Sequence, residues 1–156
     1  MSEVHLIRHA KAKNRLTWEE PDHLRPLTKR GRREAQAIAE RLDGESLTRL
    51  VSSPFARCLQ TLEPLAVALD LPIETTDLLA EGSGGERAAA LLLELAGAGP
   101  LACCTHGDVL FDVLDVLAGS GLALVGPHAA PVASTWVLTV EDGRFVQARF
   151  VAQPPR

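Results

Sequence analysis

The sequence predicts an α/β protein, a three-layer α/β/α sandwich with a mostly parallel central sheet and a C-terminal edge hairpin. Short apolar runs alternate with segments of helical periodicity along most of the chain, as in βα units. Polar clusters directly follow three of these runs, as expected where strands end at the ligand-binding edge of an open sheet. The last two runs are joined by Glu141-Asp142-Gly143, and Asp-Gly is a hairpin-turn signal.

The first strand-like run is Val4-His5-Leu6-Ile7, and a polar loop over residues 11–27 follows it. A loop of this length is often functional, so we expect it to form part of a pocket wall. Over residues 28–42 the apolar positions recur at helical spacing, and Thr28 stands where a side chain can cap the first turn. We therefore predict an amphipathic helix after the loop.

A second strand is predicted at residues 50–52. Ser53-Pro54 is a favourable helix start, because serine caps free amides and proline fits the first helical position. The helix is expected to run to about Leu69, with Pro64 kinking it or dividing it in two.

The other predicted elements follow from the same periodicities. They are a strand at 73–76, a glycine-containing loop at 77–85, a helix at 86–95, a strand at 101–105, a helix carrying Leu110, Val113, Leu114 and Leu117 on one face, and a hairpin of strands 135–140 and 144–151.

Composition indicates an ordinary globular protein, and we predict one domain over residues 1–156. The chain is 46% hydrophobic and 23% charged with a net charge of −4, near the globular average. Residues 1–60 hold 12 Lys/Arg against 8 Asp/Glu, which suits a pocket for an anion better than a nucleic-acid surface. The sequence shows neither a signal peptide nor the roughly 18 apolar residues of a membrane span, so we expect no membrane contact and a cytoplasmic location.

The cysteines predict neither a disulfide framework nor a metal site. There are three, an odd number, and Cys103 and Cys104 are adjacent on a predicted strand, where they point to opposite faces. With His106 they lack the usual spacing of zinc ligands, and no fourth ligand is evident. His5 is interpreted as a core residue.

The polar clusters at the strand ends contain the groups that phosphoryl transfer requires. Neutral His9 can attack phosphorus and carry the phosphoryl group, and the arginines nearby disfavour a further positive charge on its ring. Arg8 and Arg57 can bind phosphate oxygens through their planar guanidinium groups. His106, next to the amides of Gly107 and Asp108 at a helix start, can add another donor.

These residues also resemble a known family. Leu6-Ile7-Arg8-His9-Ala10 resembles the Arg-His-Gly signature of the histidine phosphatase superfamily, also called phosphoglycerate mutase-like. The segments 27–35 and 52–61 are similar to its second helix start and second signature, and Thr105-His106-Gly107-Asp108 is similar to the segment of its second catalytic histidine. The short chain and Arg25-Pro26-Leu27-Thr28 most resemble the small phosphohistidine phosphatase branch.

The resemblance implies His9 as the phosphorylated nucleophile, with Arg8, Arg57 and His106 forming the phosphate pocket and no metal or cofactor. It also implies Glu81 as the candidate proton donor to the leaving group, although small phosphohistidine phosphatases can lack such an acid. Ala10 replaces the usual glycine and removes a residue free to adopt positive φ.

Three functions remain open on the sequence. The leading one is a phosphatase for protein phosphohistidine. The resemblance shows no long insertion of the kind from which larger relatives build a lid, and an open pocket favours a protein-borne phosphate or a generic small ester. The second is a phosphatase for small metabolites or nucleotides, which a catalytic Glu81 would support. The third is a phosphate-binding module without turnover, which would have no need of a nucleophile at His9. The oligomeric state cannot be derived from the sequence.

Overall fold

The computed structural model describes residues 1–155. Its elements, in chain order, are β1 (Ser2–Arg8), α1 (Lys29–Leu42), β2 (Arg49–Ser52), α2 (Ala56–Leu69), β3 (Ile73–Thr75), α3 (Gly85–Ala96), β4 (Leu101–Thr105), α4 (Gly107–Gly119), β5 (Leu124–Val125), β6 (Thr135–Glu141) and β7 (Arg144–Val151). Two short 3-10 helices, Asp22–Leu24 and Asp77–Leu79, lie in the loops before α1 and α3.

One seven-stranded sheet has the order β3-β2-β4-β1-β6-β7-β5. The four strands from β3 to β1 are parallel, whereas β6 is antiparallel to β1 and β7 is antiparallel to β6. The predicted α/β fold and hairpin are therefore confirmed. Asp142 and Gly143 in the hairpin turn have φ of 51° and 74°, the left-handed values that favour an Asp-Gly pair. The two-residue strand β5, which the sequence did not indicate, pairs outside β7.

Helices cover both faces of the sheet, and successive residues of a strand pack alternately against the two helical layers. Val4 and Leu6 of β1 pack into a cluster with α3 and α4, whereas Ile7 packs with α1 and α2. Cys103 and Cys104 divide in the same way, as expected for neighbours on a strand. The apolar faces of the helices and both faces of the central strands thus form two cores, which hold the strand ends rigidly.

The helix predicted after the long loop is confirmed. The Thr28 hydroxyl accepts a hydrogen bond from the Gly31 amide at 3.0 Å and caps α1. The loop before it is fastened at its base, because the Thr28 amide donates to the Lys11 carbonyl at 2.9 Å and Ala12 forms a bridge with Leu27.

The start of α2 differs from the prediction. The helix begins at Ala56 with Phe55 as its cap residue, two positions after Pro54. The Ser53 hydroxyl is instead 2.8 Å from a ring nitrogen of His106, so this serine serves a tertiary contact. Pro64 does not divide α2, which is one helix to Leu69.

None of the helices within residues 1–155 combines the length and the apolarity needed to cross a bilayer.

Gly31 lies where α1 packs against the long loop, and a side chain there would disturb the loop. A Cβ at Gly31 would collide with the Lys11 carbonyl oxygen, whereas one at Gly44 would meet nothing within 4 Å. We expect Gly31→Ala to lower the free energy of unfolding by about 1–3 kcal/mol, measured by urea denaturation, and Gly44→Ala to change it by less than about 1 kcal/mol. Equal stabilities of the two variants would contradict this packing.

Candidate active site

Parallel pairing of β1 with β4 brings the predicted site residues together. Arg8 and Thr105 are register partners at the carboxyl ends of these strands, so His9 and His106 follow side by side. Their ring centroids are 5.4 Å apart in an edge-to-face arrangement. Arg57 enters from the first turn of α2, and Glu81 approaches from the loop before α3.

The His9 ring is oriented by the backbone. Nδ1 lies 2.9 Å from the Ala10 carbonyl oxygen, and because a carbonyl only accepts, Nδ1 must carry the proton. The other nitrogen, Nε2, then has the free electron pair that a nucleophile needs. The His9 amide donates to the Thr105 carbonyl at 3.0 Å, and the His9 carbonyl accepts from the Ala133 amide at 3.1 Å, so the residue is fixed on both sides.

The environment of His9 keeps its ring neutral. Only 7% of the residue is exposed. Burial, together with the nearby charges of His106, Arg57 and Arg8, lowers the pKa of His9 to about 3, although the hydrogen bond to Ala10 opposes the shift. The electron pair of Nε2 is therefore available at neutral pH.

Arg8 is held at the edge of the sheet by one hydrogen bond and one close contact. Its Nη1 donates to the Ala130 carbonyl at 2.7 Å. A Cβ added at Gly107 would lie 2.8 Å from Arg8 Cζ, so only glycine leaves room for the guanidinium at the start of α4. Gly107, which the sequence suggested as an anion-binding residue through its amide, also leaves space for the Arg8 side chain.

Arg57 is fully buried and is paired with carboxylates. Its Nη1 donates to the Asp22 carbonyl at 3.0 Å, and its Nη2 donates to Asp22 Oδ2 at 3.1 Å and to Glu81 Oε2 at 3.5 Å. The guanidinium also lies 5.0 Å from the centre of the Phe55 ring. These contacts balance a charge that burial alone would make costly.

His106 is held by its Nε2 atom. Ser53 Oγ is 2.8 Å and Cys58 Sγ is 3.6 Å from this nitrogen. The Phe55 ring packs edge-on at 4.8 Å between centroids. The position of the ring is therefore set by α2 and the segment before it.

Three buried nitrogen atoms at this site have no hydrogen-bond partner among the described residues: Arg8 Nε and Arg57 Nε, which carry protons, and His106 Nδ1. Buried polar groups in proteins are nearly always hydrogen-bonded, and unpaired ones need an explanation. An anion with several oxygens supplies acceptors of the kind that these donors require.

A cleft of about 650 Å³ opens above His9. Its positive residues are Arg8, Lys11, Lys13, Arg15 and Arg25. Glu81 and Asp108 are its acidic residues. The wall formed by residues 11–15 and 25 confirms the expectation that the long loop borders the pocket, and its charge favours anionic ligands.

Glu81 lies at the cleft with both carboxylate oxygens engaged. Oε1 accepts from Arg15 Nη2 at 2.8 Å, and Oε2 lies 3.5 Å from Arg57 Nη2. The following amide, that of Gly82, donates to Asp108 Oδ2 at 2.8 Å. In this arrangement Glu81 is an ion-pair partner of two arginines.

The sequence did not indicate that Asp22 and Arg25 lie at the site, and it indicated Ser53 only as a helix cap. Arg25 is 6% exposed, donates from Nε to Asp22 Oδ1 at 2.9 Å and from Nη1 to the Lys13 carbonyl at 2.7 Å. Although burial raises the pKa of Asp22, hydrogen bonds and charge from Arg25 and Arg57 lower it overall. An acidic and a basic residue three apart in a long polar loop were the available signal.

Ala10 takes an ordinary backbone conformation, since it is not among the residues with positive φ. Its amide donates to Thr61 Oγ1 at 3.0 Å, and that hydroxyl donates to the Arg57 carbonyl at 2.7 Å. Alanine is therefore accommodated at this position. The hydrogen bonds of the Ala10 amide and the Thr61 hydroxyl link the segment after His9 to the helix that carries Arg57.

The group of potential metal ligands found in residues 1–155 lies away from the cleft. Glu3, His5 and Glu45 have ligand atoms within 4.8 Å of one another, towards the beginning of β1. His5 is 4% exposed and burial lowers its pKa, consistent with its interpretation as a core residue.

Comparisons with known proteins identify the family. The histidine phosphatase superfamily (branch 1) model matches residues 4–88. An 8-oxo-(d)GTP phosphatase from Mycolicibacterium smegmatis is 34% identical over 155 residues, covering 97% of this chain and 48% of that protein. The chain thus spans about half the length of this relative.

Solved structures show the same fold. A SixA protein histidine phosphatase in complex with tungstate matches with a TM-score of 0.76 at 23% identity, over 97% of this chain and 95% of that one. A mycobacterial glucosyl-3-phosphoglycerate phosphatase matches with a TM-score of 0.72 at 17% identity, over 96% of both chains.

The sheet order and the two histidines at the carboxyl ends of β1 and β4 define an α/β protein with a positively lined cleft at this edge of the sheet. The chain belongs to the histidine phosphatase superfamily.

A methyl group at Gly107 should displace Arg8. We expect Gly107→Ala to weaken inhibition by vanadate about tenfold or more, since a hydrogen bond to a charged group contributes about 1.5–3 kcal/mol. Gly119→Ala, in the last turn of the same helix, is the control, because a Cβ there meets nothing within 4 Å. Equal inhibition constants in the two variants would exclude the contact as a determinant of anion binding.

The lowered pKa of His9 predicts a flat titration in the ligand-free protein. With a folded pKa of about 3, the ring is neutral at pH 8 and stays neutral as pH falls to 5; it gains a proton only near pH 3. The ring carbon-bound proton signals of His9, followed by NMR, should not move between pH 8 and 5. A midpoint near the ordinary value of about 6.5 would show that the ring is far more solvated than the structure indicates.

Proposed function

We propose that the protein is a metal-independent phosphatase that acts through a phosphohistidine at His9, with protein phosphohistidine as its substrate. One observation carries the mechanism. The hydrogen bond from His9 Nδ1 to the Ala10 carbonyl leaves Nε2 unprotonated beside two arginines, which is the arrangement needed for attack on phosphorus.

In the first step His9 Nε2 forms a bond to phosphorus while the bond to the leaving group breaks. Arg8, Arg57 and His106 donate to the phosphoryl oxygens, and their unpaired Nε and Nδ1 positions support this assignment. The Gly107 amide, at the start of α4, faces the same anion with the favourable end of the helix dipole. In the second step water attacks the phosphohistidine, and His9 leaves as a neutral ring.

Glu81 bears on the choice of substrate. We assign it as the proton donor for leaving groups that need one, such as an alkoxide. Its pairing with Arg15 and Arg57 favours leaving groups that need little help from an acid. The imidazole of phosphohistidine is such a group, and this supports protein phosphohistidine as the leading substrate.

The charge along the wall of the cleft agrees with a protein-borne phosphate. The positive side chains of Lys11, Lys13 and Arg15 are exposed along one wall, where they can meet an acidic or phosphorylated surface. A SixA protein histidine phosphatase has the same fold.

A nucleotide phosphatase is the second candidate, and one specific finding favours it. The 34% identical relative from Mycolicibacterium smegmatis is named for its action on 8-oxo-(d)GTP. The leaving group of a phosphate anhydride also needs little protonation, and the positive wall of the cleft could bind further phosphates.

The first experiment separates an enzyme from a phosphate-binding module. The purified chain with EDTA is incubated with a ³²P-labelled phosphohistidine peptide or labelled nucleotides and quenched by denaturation. We expect a covalent label that is stable in alkali and labile in acid, absent from His9→Ala and present in His128→Ala, because His9 alone is the nucleophile. Label retained by His9→Ala, or no label with any substrate, would contradict the mechanism.

Glu81→Gln then tests the proton donor. A general acid contributes on the order of 10²–10⁴-fold, so we expect kcat for an alkyl phosphate to fall by about that factor. Hydrolysis of phosphoramidate should fall far less, because its leaving group needs less help. Steady-state rates for both substrates decide the matter, and equal losses would remove Glu81 from the acid role.

A further inference from the structure

We infer that Ser53 is a positioning residue for His106: its hydroxyl donates to Nε2 and thereby keeps the ring proton on Nδ1, where it can bind a phosphoryl oxygen. The inference rests on the proposed function in one respect, that His106 faces the phosphate. The statement about the tautomer itself depends only on the contacts around Ser53.

The Ser53 hydroxyl proton is directed by the neighbours of Oγ. A serine hydroxyl has one proton and two acceptor positions. Ser53 Oγ already accepts from the Phe55 amide at 3.3 Å, and His106 Nε2 lies 2.8 Å away. The direction of the Ser53–His106 bond is open in heavy-atom geometry alone. The Phe55 amide fills one acceptor position of the hydroxyl, and of the two acceptors within reach of its proton, His106 Nε2 and the Cys58 sulfur, the nitrogen is the stronger.

The position of Ser53 is itself fixed. Its amide donates to the Cys104 carbonyl at 3.0 Å, and its carbonyl accepts from the Ser52 hydroxyl at 2.8 Å. Both serines are fully buried. The hydroxyl therefore meets His106 from a rigid support at the end of β2, next to β4.

The protonation of Nδ1 follows from the acceptor role of Nε2. If Nε2 accepts from Ser53, a singly protonated ring must have its proton on Nδ1. Nδ1 is buried and has no hydrogen-bond partner in the part of the chain that the structure describes. With the proton on Nε2 instead, the electron pair of Nδ1 would face the oxygens of an anion and repel them. The observed contacts thus favour the tautomer that binds phosphate.

Cys58 is a second neighbour of Nε2 and provides the control. Its sulfur is 3.6 Å from the nitrogen. Although burial raises the pKa of the Cys58 thiol, hydrogen bonds with Cys104, His106 and Ser53 lower it to about 6, so this sulfur is a weak donor that can also accept a ring proton. The shorter contact to the stronger donor should decide the tautomer. Removal of the Cys58 thiol should therefore leave the ring proton on Nδ1.

The experiment is a two-bond ¹H–¹⁵N NMR spectrum of protein labelled with ¹⁵N-histidine, which distinguishes the two tautomers from the doubly protonated ring. It is recorded for the wild type and for Ser53→Ala, Ser53→Thr and Cys58→Ala, and inhibition by inorganic phosphate is measured in parallel. Thermal unfolding confirms that each variant is folded at the temperature of measurement.

We expect Nδ1–H for His106 in the wild type, Ser53→Thr and Cys58→Ala. Ser53→Ala should show Nε2–H or a mixture, and should bind phosphate about tenfold more weakly, as for the loss of a hydrogen bond to a charged group. An Nε2–H or doubly protonated wild-type ring would overturn the inference, as would a Ser53→Ala variant with unchanged tautomer and phosphate affinity.

The spectrum also keeps this inference separate from the proposed function. A wild type without a phosphoenzyme but with His106 in the Nδ1–H form would reject the mechanism and retain the role of Ser53 in fixing the ring. If Ser53→Ala fails to fold, the wild-type tautomer and its retention in Ser53→Thr decide the question.

Discussion

The parallel pairing of β1 with β4 is the constraint on which the rest of the site depends. It places Arg8 opposite Thr105 and joins the His9 amide to the Thr105 carbonyl. Two chain segments about a hundred residues apart therefore end at the same edge of the sheet, with their histidine rings in contact. Because both strands are covered by helices on either face, neither can shift without breaking two packed layers. The orientation of His9 is thus a property of the whole sheet.

The site also buries positive charge, and nearby carboxylates offset the cost of that burial. Arg57 is fully buried yet contacts Asp22 and Glu81, each of which is shared with a further arginine, Arg25 or Arg15. Burial also lowers the pKa of Arg8 and keeps His9 neutral. The same desolvation that makes these charges costly strengthens their interaction with an anion. The long loop between β1 and α1 is therefore part of the electrostatic balance, because it carries Asp22, Arg15 and Arg25.

The fold and the main cluster of the site could be predicted from the sequence because they depend on local signals. Apolar periodicity gave the strands and helices, and Thr28 identified the start of α1. The arginines and histidines followed from the polar segments at strand ends. Ser53 and Asp22 could not be placed in this way. The Ser53 hydroxyl does accept from the Phe55 amide, but α2 begins only at Ala56, and the 2.8 Å contact with His106 is a tertiary one that a local capping preference does not describe. Asp22 reaches Arg57 only through the path of the long loop, which periodicity does not describe.

The ion pairs of Arg57 have a consequence for the release of product. Any anion that binds Arg57 through Nη2 must displace Asp22 or Glu81, so the chain contains its own competitors for that guanidinium. When an anion replaces a carboxylate on Arg57, one set of hydrogen bonds is exchanged for another. The gain in binding free energy is therefore smaller than for an anion that binds unpaired donors. In the proposed mechanism this exchange lowers the affinity for free phosphate that binds through Nη2, whereas a phosphoryl group bonded to His9 is held covalently. In that mechanism, weak retention of phosphate would keep the site available for the next turnover.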